Sequence, residues 1–472
     1  MAEKVALVSL GCPKNLVDSE MMLGQLKTSG YELTTDAADA DVIVVNTCGF
    51  LGAAAQESVE ALLEAAERKK SGKCRAVIAA GCMTQRFGTE AAAALPEVDG
   101  FIGVGQVQVL PQVVRQALGG ERPALLQGPS AGFEGYGLRI RSTPPWSAYV
   151  KVSEGCDRKC AFCVIPRIRG PMVSRSLETV VAEAESLAAD GAKELVLVGQ
   201  DPTRYGMDRG EGRGQTPGMA ALLRRLARLE ALRWIRLMYL FPDRSVDSLI
   251  ELIAGEERIC DYVDIPFQHA SRSVLRRMNR PGDGEEYLRF LENLRRACPE
   301  VSVRSTFIVG FPGETERDFE KLLQFVAAAQ LDWVGVFTYS REEGSPAAAL
   351  PGQVPKRVAQ GRRRELMRRQ REISAARRRR WVGRTIEVLV EKAAPDGRRG
   401  VGRSQGQAPE IDGVVRLRSS ARAAPLVPGQ FVFAHVTGST AYDLEADVPG
   451  SAGVSPAPCG RDARAPSEFL NT

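Results

Sequence analysis

Short, unbroken apolar runs recur along the chain with helical stretches between them, and this alternation narrows the possible folds more than any other feature. Near the start the runs cover 5–10, 41–45 and 75–80, with helical patterns at 19–29, at 53–69 and again after the third run. A strand that is apolar at every position is buried on both faces, as it is when helices cover both sides of a parallel sheet. Residues 1–118 are therefore expected to form a parallel α/β domain. The alternation resumes at 146, with runs at 148–152, 194–198, 234–240, 262–265, 301–309 and 333–339. Six strand-helix units in succession suit a partial parallel barrel, (β/α)6, better than a sandwich, and place its site at the carboxyl ends of the strands.

Between these domains, 119–145 loses its periodicity to Gly, Pro and Ser and reads as a linker. The second domain, 146–380, ends in a basic helix: 356–380 holds twelve Lys or Arg against Glu365 and Glu372, on a chain whose net charge is only +5. Such a helix is either a solvated face or a contact for RNA or a ribosome surface. Short alternating runs at 386–390, 414–417 and 431–436, separated by Gly-rich turns, predict a small antiparallel β-barrel over 383–444. From 445 to 472 Ala, Pro, Gly and Ser dominate, so a disordered tail is expected there, with Cys459 incidental.

Composition matters chiefly for the cysteines. Among 472 residues, 44% are hydrophobic and 26% charged. No run approaches the roughly 20 apolar residues of a membrane span. The apolar stretch 5–10 is also shorter than the roughly 7–15 residues of a signal core. A cytoplasmic location is the expectation, and in a reducing compartment the ten cysteines are better explained by metal or catalysis than by disulfides.

Cys156, Cys160 and Cys163 form a C-x3-C-x2-C loop directly after an expected strand. Three thiolates this close can hold three corners of a [4Fe–4S] cluster and leave the fourth iron open to a non-protein ligand. A structural zinc is the alternative, but it needs a fourth Cys or His, and none occurs within the next fifty residues. Cys12, Cys48 and Cys82 lack a short spacing, yet each follows one of the first three apolar runs within about three residues. Ligand-binding residues gather at the carboxyl edge of a parallel sheet, so these thiols are expected to converge and to hold a second, auxiliary cluster with one open iron. A zinc site completed by Cys74 is the alternative; Cys74 precedes its strand and should lie at the opposite edge.

The three-cysteine loop and partial barrel resemble the radical S-adenosylmethionine (SAM) superfamily. That resemblance implies that Cys156, Cys160 and Cys163 ligate a cluster whose open iron SAM chelates. Reductive cleavage of SAM would then give a 5′-deoxyadenosyl radical that abstracts hydrogen from an unactivated carbon. Two cluster sites, a partial barrel and a terminal β-barrel similar to a TRAM domain together resemble the methylthiotransferases, over roughly 4–444. In that family the auxiliary cluster carries the sulfur, one SAM methylates it, and the radical from a second SAM activates the acceptor carbon.

Within the family, the RimO type is resembled by 9–15 (Ser-Leu-Gly-Cys-Pro-Lys-Asn), 46–50 (Asn-Thr-Cys-Gly-Phe), 264–271 (Asp-Ile-Pro-Phe-Gln-His-Ala-Ser), 304–315 (Arg-Ser-Thr-Phe-Ile-Val-Gly-Phe-Pro-Gly-Glu-Thr) and 408–413 (Ala-Pro-Glu-Ile-Asp-Gly). This implies methylthiolation at the β-carbon of an aspartate of ribosomal small-subunit protein twelve. The alternative is the MiaB type, which modifies isopentenylated adenosine in transfer RNA. A different class would be an RNA- or ribosome-binding protein braced by metal. The near-neutral balance of 384–445, eight basic and seven acidic residues, favours the protein substrate over a barrel that grips RNA. The stretch 200–206 departs from the family's usual sequence.

Candidate SAM contacts are Gly199 and Gln200, which end one strand, and Gly310 and Gly313, which end another; glycine permits close backbone approach but also serves simply to turn the chain. Phe162 suits either an apolar shield over the cluster or loop packing. His269 suits a structural role better than acid-base catalysis, and no catalytic side chain is assigned, since clusters and SAM carry the chemistry.

Overall fold

The computed structural model describes residues 2–126, 138–210, 218–421 and 423–450. The N-terminal domain is a six-stranded, all-parallel sheet in the order Glu32–Thr34, Lys4–Ser9, Val42–Thr47, Ala76–Gly81, Gly100–Ile102 and Ala124–Leu125. Its two central strands, Val42–Thr47 and Ala76–Gly81, are buried at every position, as their unbroken apolar sequences require. The first helix, Pro13–Thr28, begins six residues earlier than the expected 19–29 because Pro13, whose fixed φ suits a first helical turn, starts it immediately after Cys12.

The linker expected over 119–145 is only partly a linker. Ala124–Leu125 supplies the sixth strand of the sheet. Arg139 ties the segment down through Glu20, at 2.8 Å, and Glu183, at 2.6 Å. Residues 127–137 lie outside the described residues.

All six expected barrel strands form and run parallel in chain order: Ser147–Lys151, Glu194–Val198, Trp234–Leu237, Tyr262–Asp264, Ser302–Val309 and Trp333–Thr338. They make two three-stranded sheets, with a parallel bridge from Ile235 to Ile259 between them. Alternate side chains along a strand point to opposite faces. Ala148, Val150, Leu195, Leu197, Ile235, Val263, Val303 and Phe307 thus join the core under the helices. Lys151, Glu194, Arg236, Asp264 and Arg304, which occupy the alternate positions, line the inner face.

The terminal domain is a closed five-stranded barrel in the order Thr385–Ala393, Arg399–Arg403, Val415–Ser419, Leu444–Val448 and Phe431–Ser439. It is not wholly antiparallel as expected: Val415–Ser419 and Leu444–Val448 pair in parallel. That last strand also carries the barrel past 444, because Leu444 and Ala446 alternate inward within a composition that reads as tail. Residues 451–472, including Cys459, lie outside the described residues.

The terminal barrel closes the amino-terminal end of the inner face of the partial barrel. Glu194, fully buried, receives Arg403 at 2.6 Å and Arg236 at 3.0 Å. Asp412 receives Arg304 at 2.6 Å and the Tyr262 hydroxyl at 2.7 Å, and the Trp333 indole donates to the Gly406 carbonyl at 2.9 Å. The carboxyl end is left to the N-terminal domain and the cysteines. No helix among the described residues is long and apolar enough to cross a membrane.

Candidate metal centres

Cys12, Cys48 and Cys82 follow three adjacent parallel strands at the same edge of the sheet. Cys12 caps the helix Pro13–Thr28, Cys48 follows Val42–Thr47 directly, and Cys82 opens the helix Cys82–Ala94. Two glycines let these loops meet. Gly11, at φ +91°, approaches Cys48 so closely that a Cβ there would stand 2.8 Å from the Cys48 Cβ, and a Cβ on Gly49 would stand 2.6 Å from the Met83 Cα. The Asn15 amide pins the loops by donating to the carbonyls of Leu10 and Thr47, each at 2.9 Å. Cys74 lies before its strand, buried among apolar side chains, with its thiol on the Ala76 carbonyl.

The three thiols share one electrostatic environment. Burial pushes the Cys82 thiol up to about 12, with Cys12 and Cys48 adding to the rise and Arg169 opposing it. Cys48 is also raised, chiefly by burial. Burial acts the same way on Cys12, but Lys14 and Arg169 outweigh it and its pKa falls. Arg169 is the buried cation of this site. Its guanidinium donates to the Cys82 sulfur at 3.2 Å, to Asn15 Oδ1 at 2.6 Å, to both carboxylate oxygens of Glu154 at 2.8 and 2.9 Å, and to Asp18 at 3.2 Å. Lys151 completes the group by binding Asp18, and Glu154 at 2.7 Å.

The second triad occupies the loop after Ser147–Lys151. The backbone N–H groups of Arg158 and Ile165 donate to the sulfurs of Cys156 and Cys163, each at 3.4 Å, a geometry that stabilises thiolates. Arg280 reaches Cys160 at 3.9 Å. Burial pushes Cys156 up to about 11, helped by Asp201 and Cys160, and Cys163 up to about 12, helped by Cys160 and Cys156. Metal loading must therefore release protons from both triads. Among the described residues no three Cys, His, Asp or Glu side chains gather at a single-ion position.

The two triads are joined through protein. Cys163 leads into the helix Ile165–Arg169, whose Ile168 packs with Val164, Val104 and Cys82. Its last residue, Arg169, then touches the Cys82 sulfur. Sequence reasoning missed Arg169, Glu154, Lys151 and Asp18, because a buried ion network between domains leaves no local pattern. It also missed Tyr239, which adopts a left-handed φ of 63° two residues past the strand Trp234–Leu237. The Tyr239 N–H donates to Asp264 at 3.1 Å, and the Lys14 ammonium lies 3.8 Å from its ring centroid. Burial pushes Asp264 up to about 6 despite Arg304. Lys14 makes no ion pair among the described residues, so a cation beside Cys12 faces the carboxyl end of the barrel with no carboxylate bound to it.

The candidate SAM positions differ in character. Gly199 follows Glu194–Val198, and a Cβ there would stand 2.8 Å from the Ser153 hydroxyl. The Gln200 amide donates to Glu154 at 3.0 Å, while Gln200 Oε1 and Ser153 Oγ are buried without partners. Orphaned buried polar atoms of this kind suit a bound polar cofactor. Gly310 and Gly313 have left-handed φ values of 74° and 76°, but the space for a side chain is filled by Ala359 at one and by the Arg277 guanidinium at the other, so packing accounts for both glycines. His269 is fully buried and accepts the Ser271 N–H at Nδ1, with Nε2 lying 3.6 Å from Glu314. Phe162 packs against the main core of the partial barrel.

Family models match in the same three-part layout: the radical SAM superfamily at 150–326, the uncharacterized protein family UPF0004 at 4–103 and the TRAM domain at 382–448. The chain is 49% identical over 445 residues to the ribosomal protein uS12 methylthiotransferase RimO of Pelotomaculum thermopropionicum, covering 94% of this chain and 99% of that one. It is 48% identical over 442 residues to the protein of the same description from Symbiobacterium thermophilum, covering 93% and 90%. Among solved structures, the radical SAM methyltransferase TsrM of Kitasatospora setae, with cobalamin and a [4Fe–4S] cluster bound, shares the fold at TM-score 0.55 and 16% identity, covering 74% of this chain and 77% of that one. The chain belongs to the RimO family of radical SAM methylthiotransferases, transferases that work with SAM and [4Fe–4S] clusters.

Proposed function

We propose that this enzyme transfers a methylthio group to the β-carbon of an aspartate in ribosomal protein uS12. Cys156, Cys160 and Cys163 would hold the SAM-cleaving cluster, and Cys12, Cys48 and Cys82 the sulfur-bearing one. The observation that carries this reading is the convergence of two cysteine triads bridged by one short helix. When bound, the clusters and SAM supply reductive SAM cleavage and the sulfur to be transferred.

The chain's own residues have distinct tasks. Backbone N–H groups at Arg158 and Ile165 favour the thiolate forms of Cys156 and Cys163. Arg169 balances negative charge at the N-terminal triad. Ser153 and Gln200, packed beside Gly199, offer polar atoms to SAM, whereas Gly310 and Gly313 shape the loop behind it. Lys14, beside Cys12 and in no ion pair among the described residues although Asp264 feels its charge, is the cation best placed to receive the acceptor's carboxylate. The apolar core shared by the N-terminal and central domains, with Met21, Val44, Tyr149 and Val196 in one cluster, keeps water from the space between them.

Mass spectrometry of the reconstituted enzyme with both uS12 and transfer RNA tests the reading. A methylthio mass gain on an aspartate of uS12 is expected. A gain on transfer RNA instead, or on neither, would overturn it.

A further inference from the structure

We propose that the outward face of the helix Lys356–Arg379 is an RNA-binding surface that engages the phosphate backbone. The sequence leaves this helix open between a solvated face and an RNA contact. The structure divides its charges into two sets. Arg377, Arg378 and Arg380 converge on buried Asp332, at 3.0, 2.7 and 3.4 Å. Arg362 reaches Glu316 at 3.1 Å and the Glu314 carboxylate at 3.4 Å, and Arg363 donates to the Val336 carbonyl at 3.0 Å. These arginines fasten the helix to the edge of the partial barrel. Arg368 is neutralised by Glu365 and Glu372, both at 2.8 Å.

The remaining basic residues, Lys356, Arg357, Arg364, Arg369, Arg371 and Arg379, are exposed and form no ion pair among the described residues, although Glu365 also feels the charge of Arg369. Arg357, Arg364, Arg371 and Arg379 lie at intervals of seven, seven and eight residues. At about 100° per residue these positions fall within roughly 40° of one line along the helix, and at about 1.5 Å per residue the line is about 33 Å long.

Three observations favour nucleic acid over other anionic partners. The stripe is arginine throughout, and the guanidinium fork matches phosphate geometry better than a point charge does. Its length suits a continuous polyanion rather than one acidic side chain. Its outer face carries hardly any large apolar side chain, Val358 at 40% exposure being the exception, which an interfacial membrane helix would need. The inference is independent of the cluster chemistry and adds a second anchoring surface to the enzyme.

The test uses the full-length reconstituted enzyme and a fluorescent RNA duplex, titrated between about 50 and 200 mM salt. The variant is the triple Arg364→Gln, Arg371→Gln, Arg379→Gln, which removes no ion pair among the described residues. Each phosphate contact contributes roughly 0.7–0.9 to the slope of log K against log salt, so the triple should lower the slope by about 2–3. SAM cleavage without acceptor should be unchanged. An equal slope in both proteins would overturn the proposal, as would variant-sensitive binding to anionic lipid vesicles with none to RNA.

Discussion

Replacing Arg169 with Met removes one guanidinium from a buried group of two acids and two cations. Arg169 is 2% exposed, and Asp18 and Glu154 are also buried. In the intact network the charges of Asp18, Glu154, Lys151 and Arg169 balance. Burial alone would raise the Glu154 pKa, but Arg169 and Lys151 hold it well below the usual carboxylate range. Without Arg169 the group carries one uncompensated negative charge, and Asn15 Oδ1 loses its donor at 2.6 Å. Breaking a buried pair by removing one partner costs about 3–5 kcal/mol. That is the expected loss in urea unfolding of the full chain, followed by circular dichroism and by tryptophan fluorescence to check that the transitions coincide. Arg169→Lys should recover only part of it, because a single ammonium cannot reach Asn15, Glu154 and Cys82 together as the fork does. A loss under about 1 kcal/mol, or full recovery by Lys, would refute the view that this network holds the two cysteine-bearing domains in register.

Cys160→Ala should abolish SAM cleavage, whereas Cys48→Ala should leave uncoupled cleavage but no methylthiolated product, with cleavage read by chromatography of 5′-deoxyadenosine and product by mass spectrometry. The terminal barrel should loosen in acid: Arg403 and Arg236 overcome the burial of Glu194 and hold it at about 2, below its ordinary 4.5. Because the folded pKa is depressed, that stabilisation is complete above the ordinary value and is lost as pH falls toward about 2. Thermal midpoints should therefore drop over this window in the wild type and much less in Glu194→Gln. Lys14→Gln should raise KM for a uS12 acceptor peptide well before it lowers kcat, and an unchanged KM would remove Lys14 from acceptor binding.

Much of this organisation is legible in the residues. The runs 148–152 and 194–198 read as buried strands because burial on both faces demands apolar side chains, and cysteines just past such runs mark a sheet edge before any contact is known. The run 333–339 is also apolar, yet it forms an edge strand with Phe337 exposed. What stayed hidden depends on distance in sequence. Arg169 and Cys82 are 87 residues apart, and nothing local to either announces a guanidinium against a thiol. The division of Arg362, Arg377 and Arg378 from Arg364 and Arg371 is likewise invisible until the helix is docked. Gly310 and Gly313 stay ambiguous in the sequence because a glycine required by packing and one required by a cofactor read identically. Leu444–Val448 is missed because five residues of mixed polarity beside a Pro- and Ala-rich segment carry little β signal, and only pairing to Val415–Ser419 and Phe431–Ser439 makes them a strand.

Iron and acid-labile sulfide content of the anaerobically reconstituted enzyme tests the two-triad account most directly. The wild type should hold about eight irons, and the triple variant Cys12→Ala, Cys48→Ala, Cys82→Ala about four, with SAM cleavage retained. A wild type with only about four irons, or a triple variant that keeps all eight, would contradict it.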